Sequence, residues 1–579
     1  MLPLLALAAL AAQWPHARAL PQPLAAPNVV VVILDDAGID QLAAYGIPTA
    51  WGEAHARTPI LDHLRARGVL FQRAWAAPLC SPSRAMLLTG RHGFRTGMLH
   101  LSETPGPCPP GTVPLGLTAC CPVGDPQCAQ EGQTPIPPHF PGGYALPEAE
   151  VTLAEALRDA TFPQPTRYAR GAFGKWHLAG ALDDLCHPIR QGFELFQGHL
   201  RNNEGQAGHH FDWQRVDARE SPEGCAATTS RWVGAWDAEI AALDARQWID
   251  TVRADPEGRP FLAVVSLNPP HQPFQVPPQA LVSPETWSEL VLAGIAQEGL
   301  MVDGVVSCDP TVDQQTGSRA ARLVFRATLE AVDALIGRVV LESPGQPELL
   351  DDTIVFVVGD NGTPDHVLSA TQDPGAYGLH AAPFPPRHAK RSVYELGVRV
   401  PLIVAGRGVA SAGTCEALVS VVDLWPTVLE CCRAEVSALV PAAEIDGRSF
   451  RRRLTTPAGP LPGLDRGEVY TEVAARNGMR YETATDAWTP CAPGGTVKYE
   501  RAILGADGFK YVRRVVGVEP GCSTLSWPCA AWPPEEVFQV FDGAGWVDPF
   551  EAASSCGTPA GDAAQAALRQ ILAARYFGG

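Results

Sequence analysis

Four apolar runs spaced along the chain each end in a short cluster of polar residues. The runs and the clusters that follow them are NVVVVIL with Asp35-Asp36, YARGAF with Gly174-Lys175-Trp176-His177, FLAVVSL with Asn268-Pro269-Pro270-His271, and TIVFVV with Gly359-Asp360-Asn361-Gly362. Apolar runs of this length are typical of strands that are buried on both faces of a parallel sheet. Because the carboxyl ends of parallel strands meet at one edge, where α/β folds bind ligands, we expect the four clusters to converge.

Helical patterns lie between these runs. VTLAEALRDA has Thr152 as a candidate N-cap, and SRAARLVFRATLEAVDALIGRVVLE carries apolar residues at helical spacing. The alternation of strands and helices predicts an α/β fold, with a doubly wound, mostly parallel sheet flanked by helices. A chain of 579 residues also exceeds what one hydrophobic core usually organises, so we expect a second, smaller domain.

The boundary between the two domains is predicted at a Pro- and Gly-rich stretch. TTPAGPLPGLDRGE indicates a linker, and the shorter alternating segments after it, EVYTEV and RAILGADGFKYVRRVVGV, predict a small antiparallel sheet. The predicted division is a signal peptide with an N-terminal tail, the large α/β domain, and a smaller C-terminal α+β domain, at residues 1–27, 28–464 and 465–579. Residues 102–144, rich in Pro, Gly and Cys, are expected to form a long loop held by disulfides.

Charge and the N-terminal sequence restrict the partners and the compartment. The formal net charge of −18 argues against nucleic acid or an anionic membrane face as a partner. The first apolar run is too short to span a bilayer and precedes the cleavage-like triplet Ala17-Arg18-Ala19, which predicts a signal peptide. We therefore expect a secreted or periplasmic protein without a membrane span.

The fifteen cysteines suit an oxidising compartment, and no C-x-x-C zinc pattern is present. An odd number leaves at least one thiol unpaired within a single chain. If Cys80 is set aside, the remaining fourteen are consistent with full pairing: Cys108, Cys120, Cys121, Cys128, Cys186, Cys225, Cys308, Cys415, Cys431, Cys432, Cys491, Cys522, Cys529 and Cys556.

Two of the polar clusters offer oxygen ligands for a metal ion. Asp35, Asp36, Asp360 and Asn361 form an all-oxygen set of the kind that hard cations bind, with calcium favoured over magnesium when several carboxylates crowd together. Taken alone, each pair is weak evidence for a metal site, because such residues more often serve turn and capping chemistry. The prediction of a metal site therefore depends on the convergence of the two strand ends.

Five cationic side chains belong to the same set of segments: Arg84, Lys175, His177, His271 and Lys390. Any one of them alone is more often a solvated or structurally hydrogen-bonded residue. Together with a metal ion, fixed cations would form a pocket for a tetrahedral anion whose charge grows during a reaction.

Cys80 stands before a predicted helix, in LCSPSRAMLLTG. Pro82 suits the first helical position, so Cys80 is expected at a helix N-terminus, where the dipole favours anions. A buried thiol, a disulfide partner or a thiolate nucleophile would each fit this position. None of these three readings explains the Ser-Pro-Ser-Arg sequence that follows.

The segment Cys80-Ser81-Pro82-Ser83-Arg84, followed by Thr89-Gly90-Arg91, resembles the type I sulfatase signature C-x-P-S-R-x-x-x-x-T-G-[RK], whose cysteine is oxidised to formylglycine. Further blocks, including FGKWHLAG, RQGFELFQG, KRSVYELGVRVPLIVAG and DGFKYVRR, are similar to sulfatase blocks in the same order. The resemblance implies an arylsulfatase-like member of the alkaline phosphatase superfamily. It also implies one calcium ion, bound by Asp35, Asp36, Asp360, Asn361 and an oxygen of the modified Cys80.

The resemblance implies a role for each cationic residue. Arg84 would steady the aldehyde hydrate, and Lys175 and Lys390 would hold the sulfate. His271 would help to protonate the departing oxygen, and His177 would act as a base when sulfate is released. Of the two hydroxyls of a hydrated aldehyde, one would attack sulfur and the other would later expel sulfate.

The leading hypothesis is a sulfuric ester hydrolase that cleaves the sulfate monoester of a small molecule or a saccharide. A formylglycine-generating or equivalent maturation enzyme would act on Cys80. One alternative is a phosphodiester or phosphonate monoester hydrolase of the same superfamily. Another is a non-catalytic secreted glycan-binding protein in which Cys80 is never oxidised.

Overall fold

The computed structural model describes residues 26–49, 52–102, 112–115, 119–122, 145–180, 183–202, 209–302, 314–341, 349–364, 367, 389–441, 444–477, 479–482, 487–490, 496–517, 535–542, 545–546 and 558–576. The α-helices in these residues are α1 Pro59–Ala66, α2 Cys80–Thr89, α3 Gly93–Thr96, α4 Leu153–Asp159, α5 His187–Arg190, α6 Asp237–Arg253, α7 Pro284–Leu292, α8 Gln314–Val340, α9 Glu395–Val398, α10 Leu424–Cys432, α11 Arg451–Thr455 and α12 Pro559–Tyr576. The strands are β1 Asn28–Leu34, β2 Gly68–Trp75, β3 Thr112–Leu115, β4 Ala119–Pro122, β5 Ala169–Lys175, β6 Leu195–His199, β7 Asp212–Ser221, β8 Gly224–Val233, β9 Phe261–Leu267, β10 Thr353–Gly359, β11 Leu402–Gly406, β12 Gly413–Ser420, β13 Glu468–Asn477, β14 Met479–Glu482, β15 Ala487–Pro490, β16 Thr496–Gly505, β17 Phe509–Gly517, β18 Glu535–Gln539, β19 Phe541–Asp542 and β20 Gly545–Trp546.

A ten-stranded sheet with the order β12-β2-β11-β10-β1-β9-β5-β6-β7-β8 forms the centre of the protein. The five consecutive strands from β10 to β6 run parallel. Strand β11 runs antiparallel to both of its neighbours, and the antiparallel hairpin β7–β8 forms one edge. The four apolar runs of the sequence correspond to β1, β5, β9 and β10, which confirms the predicted large, mostly parallel sheet.

Strand β1 shows why its sequence is continuously apolar. Val30 and Val32 belong to a core cluster that includes residues of α6 and α8, whereas Val29 and Val31 belong to a second cluster with residues of α2 and α10. Both faces of the strand are therefore covered by helices, and a polar residue at any of these positions would be buried. This confirms the predicted doubly wound arrangement.

Two helix starts were predicted from the sequence, one from a candidate N-cap and one from a proline at the first helical position. Thr152 precedes α4, and its hydroxyl accepts a hydrogen bond from the Glu155 amide while the Glu155 carboxylate accepts one from the Thr152 amide. This capping box confirms Thr152 as the N-cap. Helix α2 begins at Cys80, so Pro82 is its third residue and not its first as expected. Cys80 still lies in the first turn, at the positive end of the helix dipole.

A four-stranded antiparallel sheet with the order β13-β16-β17-β18 follows the large sheet in the chain, which confirms the predicted second sheet. Val469 and Val512 of this sheet pack in one cluster with Trp75 and Tyr394. Tyr470 and other residues of the sheet pack against Leu568 of α12. The small sheet thus contacts both the large sheet region and the last helix, while the exact domain boundaries stay a prediction.

The structure corrects the expectation of full cysteine pairing. Cys186 and Cys225 form a disulfide that links the start of α5 to β8. Cys415, Cys431 and Cys432 carry free thiols. Cys415 and Cys432 are buried within an apolar cluster, and Cys431 packs against it. The side chains of the other predicted partners, most of the loop 102–144 and the predicted signal peptide lie outside the described residues. No helix in the described ranges is both long and apolar enough to cross a membrane.

Candidate active site

The four predicted polar clusters lie at the carboxyl ends of adjacent strands. In the register of the sheet, Leu34 pairs with both Gly359 and Leu267, so Asp35, Asp360 and the residues after β9 leave the sheet at the same level. The neighbouring strand β5 ends at Lys175. Asp36 has a φ of 61°, in the left-handed region that Asp tolerates better than most residues, and this turns the chain immediately after the strand.

Arg84 connects all four of these strand ends. Its Nε donates to Asp360 Oδ2 at 3.0 Å, and its Nη2 donates to Asp35 Oδ2 at 3.1 Å. Its Nη1 donates to the carbonyl oxygen of Lys175 at 2.9 Å and also to the hydroxyl of Ser266. Because the planar guanidinium reaches all four partners at once, it fixes the spacing of β1, β5, β9 and β10 at the site.

Each of the two lysines pairs with one of the adjacent aspartates. Lys175 Nζ contacts Asp35 Oδ2, and Lys390 Nζ contacts Asp36 Oδ1, in both cases within a buried ion pair. Burial opposes ionisation of Asp35, but Lys175 and the other cations outweigh it and hold the pKa of Asp35 well below its ordinary value. Burial likewise opposes the charge of Lys390, yet Asp36 outweighs it and raises the pKa of the lysine, which therefore remains charged at neutral pH.

Cys80 is completely buried, and its Sγ lies 3.3 Å from His177 Nδ1. Burial raises the pKa of the Cys80 thiol to about 11, so the sulfur is protonated at neutral pH. Burial and the neighbouring Lys175 lower the pKa of His177 well below its usual value, which leaves its ring neutral. The unmodified thiol is therefore poorly suited to act as a thiolate nucleophile.

His271 presents one ring nitrogen to the site. Its Nδ1 lies 2.7 Å from the carbonyl oxygen of Gln272, a contact in which the nitrogen donates, and its Nε2 lies 3.9 Å from Asp36 Oδ2. Burial and then Lys175 lower the pKa of His271 well below its ordinary value. The Nε2 atom is therefore the one that faces the acidic residues.

The arrangement of oxygen atoms fits a hard divalent cation. Asp35 and Asp360 carboxylate oxygens and Cys80 Sγ all lie within 4.8 Å of one another. Asp35 Oδ1 and Asn361 Oδ1 are buried and have no hydrogen-bond partner among the described residues, although buried polar atoms in native proteins nearly always have one. Burial and the nearby Asp35 raise the pKa of Asp360 to about 7, a sign of crowded carboxylates that a cation would neutralise. These residues fit a calcium ion.

The chain is similar to known proteins in both its sequence and its fold. The family profile described as Sulfatase matches residues 27–434, which is more than half of the chain. The protein belongs to the sulfatase family. This agrees with the resemblance at the Cys80 signature, and it places the described strand-end cluster within the part of the chain that matches the family.

Curated relatives of this sulfatase-family protein carry the names of different sulfatases. Human N-acetylgalactosamine-6-sulfatase is 25% identical over 439 residues, which cover 74% of this chain and 65% of the relative. Steryl-sulfatase of Mus musculus is 28% identical over 460 residues, covering 73% of this chain and 64% of the relative. The match thus spans slightly less than two thirds of the length of these relatives.

The fold is also similar to solved sulfatase structures. The PsFucS1 sulfatase from Pseudoalteromonas sp. is 18% identical, with a TM-score of 0.55, and the match covers 96% of this chain and 92% of that one. At this identity the likeness shows a shared fold. It extends over both the large sheet and the small antiparallel sheet.

In this member of the sulfatase family, direct contacts connect all of the residues that the sequence singled out: Asp35, Asp36, Cys80, Arg84, Lys175, His177, His271, Asp360, Asn361 and Lys390. Sequence reasoning missed Ser266, which binds Arg84 from within an apolar strand. It also missed Asn268, a buried residue whose side-chain amide atoms have no partner in the described part of the chain. The only signal for Asn268 was its place in a polar cluster.

Proposed function

We propose that this protein hydrolyses a sulfate monoester at the strand-end site. The observation that carries the proposal is the position of Cys80, whose Sγ lies within 4.8 Å of carboxylate oxygens of Asp35 and Asp360 while Lys175 and Lys390 lie beside the same acids. A cation site and fixed positive charges at one point suit an anionic substrate whose charge increases in the transition state.

Two groups would complete this site. A formylglycine made from Cys80 would supply, in its hydrated form, an oxygen nucleophile in place of a protonated thiol. A calcium ion would be held by Asp35, Asp36, Asp360 and Asn361, and would supply charge neutralisation for the sulfate oxygens and a lower pKa for the attacking hydroxyl.

The protein side chains would bind the sulfate and move the protons. Lys175 and Lys390 would orient the sulfate oxygens. Arg84 would keep the side chain at position 80 in place by bridging the carboxylates that surround it. His177 Nδ1, which contacts the side chain at position 80, would accept a proton when sulfate is released. The negative charge of a bound sulfate ester would raise the pKa of His271, so that the protonated ring could donate from Nε2 to the departing oxygen.

The burial of Cys80 bears on the partner that would modify it. Its side chain is 0% exposed, so a maturation enzyme of the formylglycine-generating kind would act before the chain folds. The Cys186–Cys225 disulfide supports a secreted or periplasmic location, because disulfides persist in oxidising compartments. The relatives are named for an amino sugar and for steroid substrates, so the proposed substrate is a small-molecule or saccharide sulfate ester.

Release of inorganic sulfate from 4-nitrophenyl sulfate tests the proposal, with Cys80→Ala as the control. We expect calcium-dependent turnover by the wild type, none by C80A, and an aldehyde mass at position 80 by mass spectrometry of the tryptic peptide. Faster cleavage of bis-4-nitrophenyl phosphate or of an aryl phosphonate monoester, by orders of magnitude, would favour the related phosphoester hydrolases instead. A protein with a free thiol at position 80 and no turnover after expression in its own host would contradict the proposal.

A further inference from the structure

A buried pair of side chains lies directly behind His271. His210 Nε2 lies 2.9 Å from the backbone carbonyl oxygen of His271, and His210 Nδ1 lies 3.2 Å from Asp237 Oδ2. The side chains of His210 and Asp237 are 2% and 1% exposed. One imidazole ring therefore joins a carboxylate to the backbone of the residue whose Nε2 faces the acidic cluster.

Several further contacts fix this pair in place. The Asp237 amide donates to the His210 carbonyl oxygen at 2.9 Å, and Asp237 Oδ1 accepts from the Ala238 amide at 2.7 Å at the start of α6. The His210 amide donates to Gln275 Oε1 at 2.7 Å. Since Gln275 belongs to the same loop as His271, His210 holds this loop at two points.

The carboxylate is ionised in this setting. Burial raises the pKa of Asp237, but His210 and the side chain of His199 outweigh that effect and hold it well below its ordinary value. His199 Nε2 lies 3.6 Å from the same oxygen, Asp237 Oδ2. A charged acceptor with two imidazole neighbours gives a stronger and better directed hydrogen bond to His210 than a neutral one would.

The orientation of His271 depends on its backbone as well as its ring. The ring is held by the contact of Nδ1 with the Gln272 carbonyl oxygen, which belongs to the same loop. The amide of His271 donates to the Asn268 carbonyl oxygen at 3.0 Å. His210 contacts the backbone of His271 from a different segment, so it helps to fix the position of the loop, and with it of Nε2, relative to the sheet.

We propose that His210, oriented by Asp237, is a positioning residue that places His271 Nε2 at the leaving oxygen of the substrate. This inference rests on the proposed sulfate ester hydrolysis and adds a second layer of residues to it. Its consequence is specific, because a misplaced proton donor slows only those substrates whose leaving group needs a proton. A nitrophenolate leaves without being protonated, whereas an unactivated phenolate or an alkoxide needs a proton in order to leave.

The test compares two substrates with each variant, 4-nitrophenyl sulfate and 4-methylphenyl sulfate. We expect Asp237→Asn, His210→Gln and His271→Gln each to lower kcat on 4-methylphenyl sulfate on the order of 10²-fold, and to change kcat on 4-nitrophenyl sulfate much less. Asp237→Asn keeps the shape of the side chain and serves if His210→Gln does not fold. His92→Gln removes an equally buried histidine outside the site and should leave the ratio of the two rates unchanged.

The ratio of the rates on the two substrates is independent of the fraction of enzyme that is folded and oxidised, because both substrates are assayed with the same sample. Equal losses on the two substrates, or no loss, in Asp237→Asn would overturn the positioning role while leaving the proposed function intact. A wild-type protein that releases no sulfate from either ester would overturn the proposed function and this inference with it.

Discussion

Lys510 Nζ lies 3.1 Å from Glu395 Oε1, and the two side chains are 0% and 1% exposed. Lys510 belongs to β17 of the small sheet, whereas Glu395 begins α9, shortly after Lys390. The same ammonium lies 4.4 Å from the centre of the Trp75 ring, at the end of β2. The ion pair therefore connects the C-terminal sheet to the loop that brings Lys390 to the site.

Breaking this ion pair should be costly. In Lys510→Met the buried carboxylate of Glu395 loses the ammonium that pairs with it, so the free energy of unfolding should fall by about 3–5 kcal/mol. Urea denaturation followed by fluorescence measures the loss. Arg158→Met removes one partner of the exposed Arg158–Asp159 pair, and its effect should stay within about 1 kcal/mol. Similar small losses for both variants would contradict a structural role for Lys510.

The sequence predicted the centre of the sheet well because buried strands carry a strong pattern. Strands β1, β5, β9 and β10 are covered on both faces and are largely apolar, so the polar clusters that follow them mark the point where each strand leaves the sheet. The antiparallel direction of β11 was not predictable in this way. A continuous apolar run has the same pattern whichever way the strand points. The direction of the strand is set by the loop that precedes it.

Contacts made by single residues were also beyond the sequence pattern. Ser266 lies in an apolar run, and its partner Arg84 is 182 positions away in the chain. His210 lies outside every motif, although it contacts the backbone of His271. The parity of the cysteines suggested full pairing, yet the thiols of Cys415 and Cys432 pack as small apolar groups. Such contacts depend on the folded arrangement of segments whose sequences do not indicate that they meet.

Calcium should stabilise the protein through the strand-end acids. At a concentration one hundred times the Kd, binding to the folded state alone would add about 2.7 kcal/mol to the free energy of unfolding. Asp360→Asn should abolish this gain, because it removes one carboxylate from the crowded set. Thermal unfolding with and without calcium after treatment with chelator gives the shift. Glu257→Gln alters an exposed acid, so it should retain the full shift, and a shift that survives in D360N would place the ion elsewhere.

Arg84 should resist replacement even by lysine. Its fork binds Asp35, Asp360 and Ser266 together, whereas a single ammonium cannot reach all three. For Arg84→Lys we expect kcat on 4-nitrophenyl sulfate to fall on the order of 10²-fold, after correction for the aldehyde content of the sample. Arg453→Lys changes another buried arginine, which pairs with Asp465, and it should alter stability without changing kcat. Equal kcat values for the two variants would refute the bridging role.

His92 should make the protein less stable as the pH falls. The ring is 1% exposed and lies against Tyr470, with the ring centres 5.0 Å apart. Burial lowers the pKa of His92 from 6.5 to about 4, despite the nearby Asp446, so between these pH values the unfolded chain binds a proton that the folded protein does not. Stability contributed by the neutral ring is thus present above pH 6.5 and is lost as the pH falls towards 4.

The variant His92→Gln isolates this effect, since glutamine does not titrate. The difference in the free energy of unfolding between the wild type and His92→Gln should decrease by about 1.4 kcal/mol for each pH unit below pH 6. Denaturation curves of both proteins at several pH values between 4.5 and 7.5 provide that difference, and other titrating groups cancel in it. Parallel pH profiles would mean that the folded protein takes up the proton on His92 as readily as the unfolded chain, which the burial of the ring opposes.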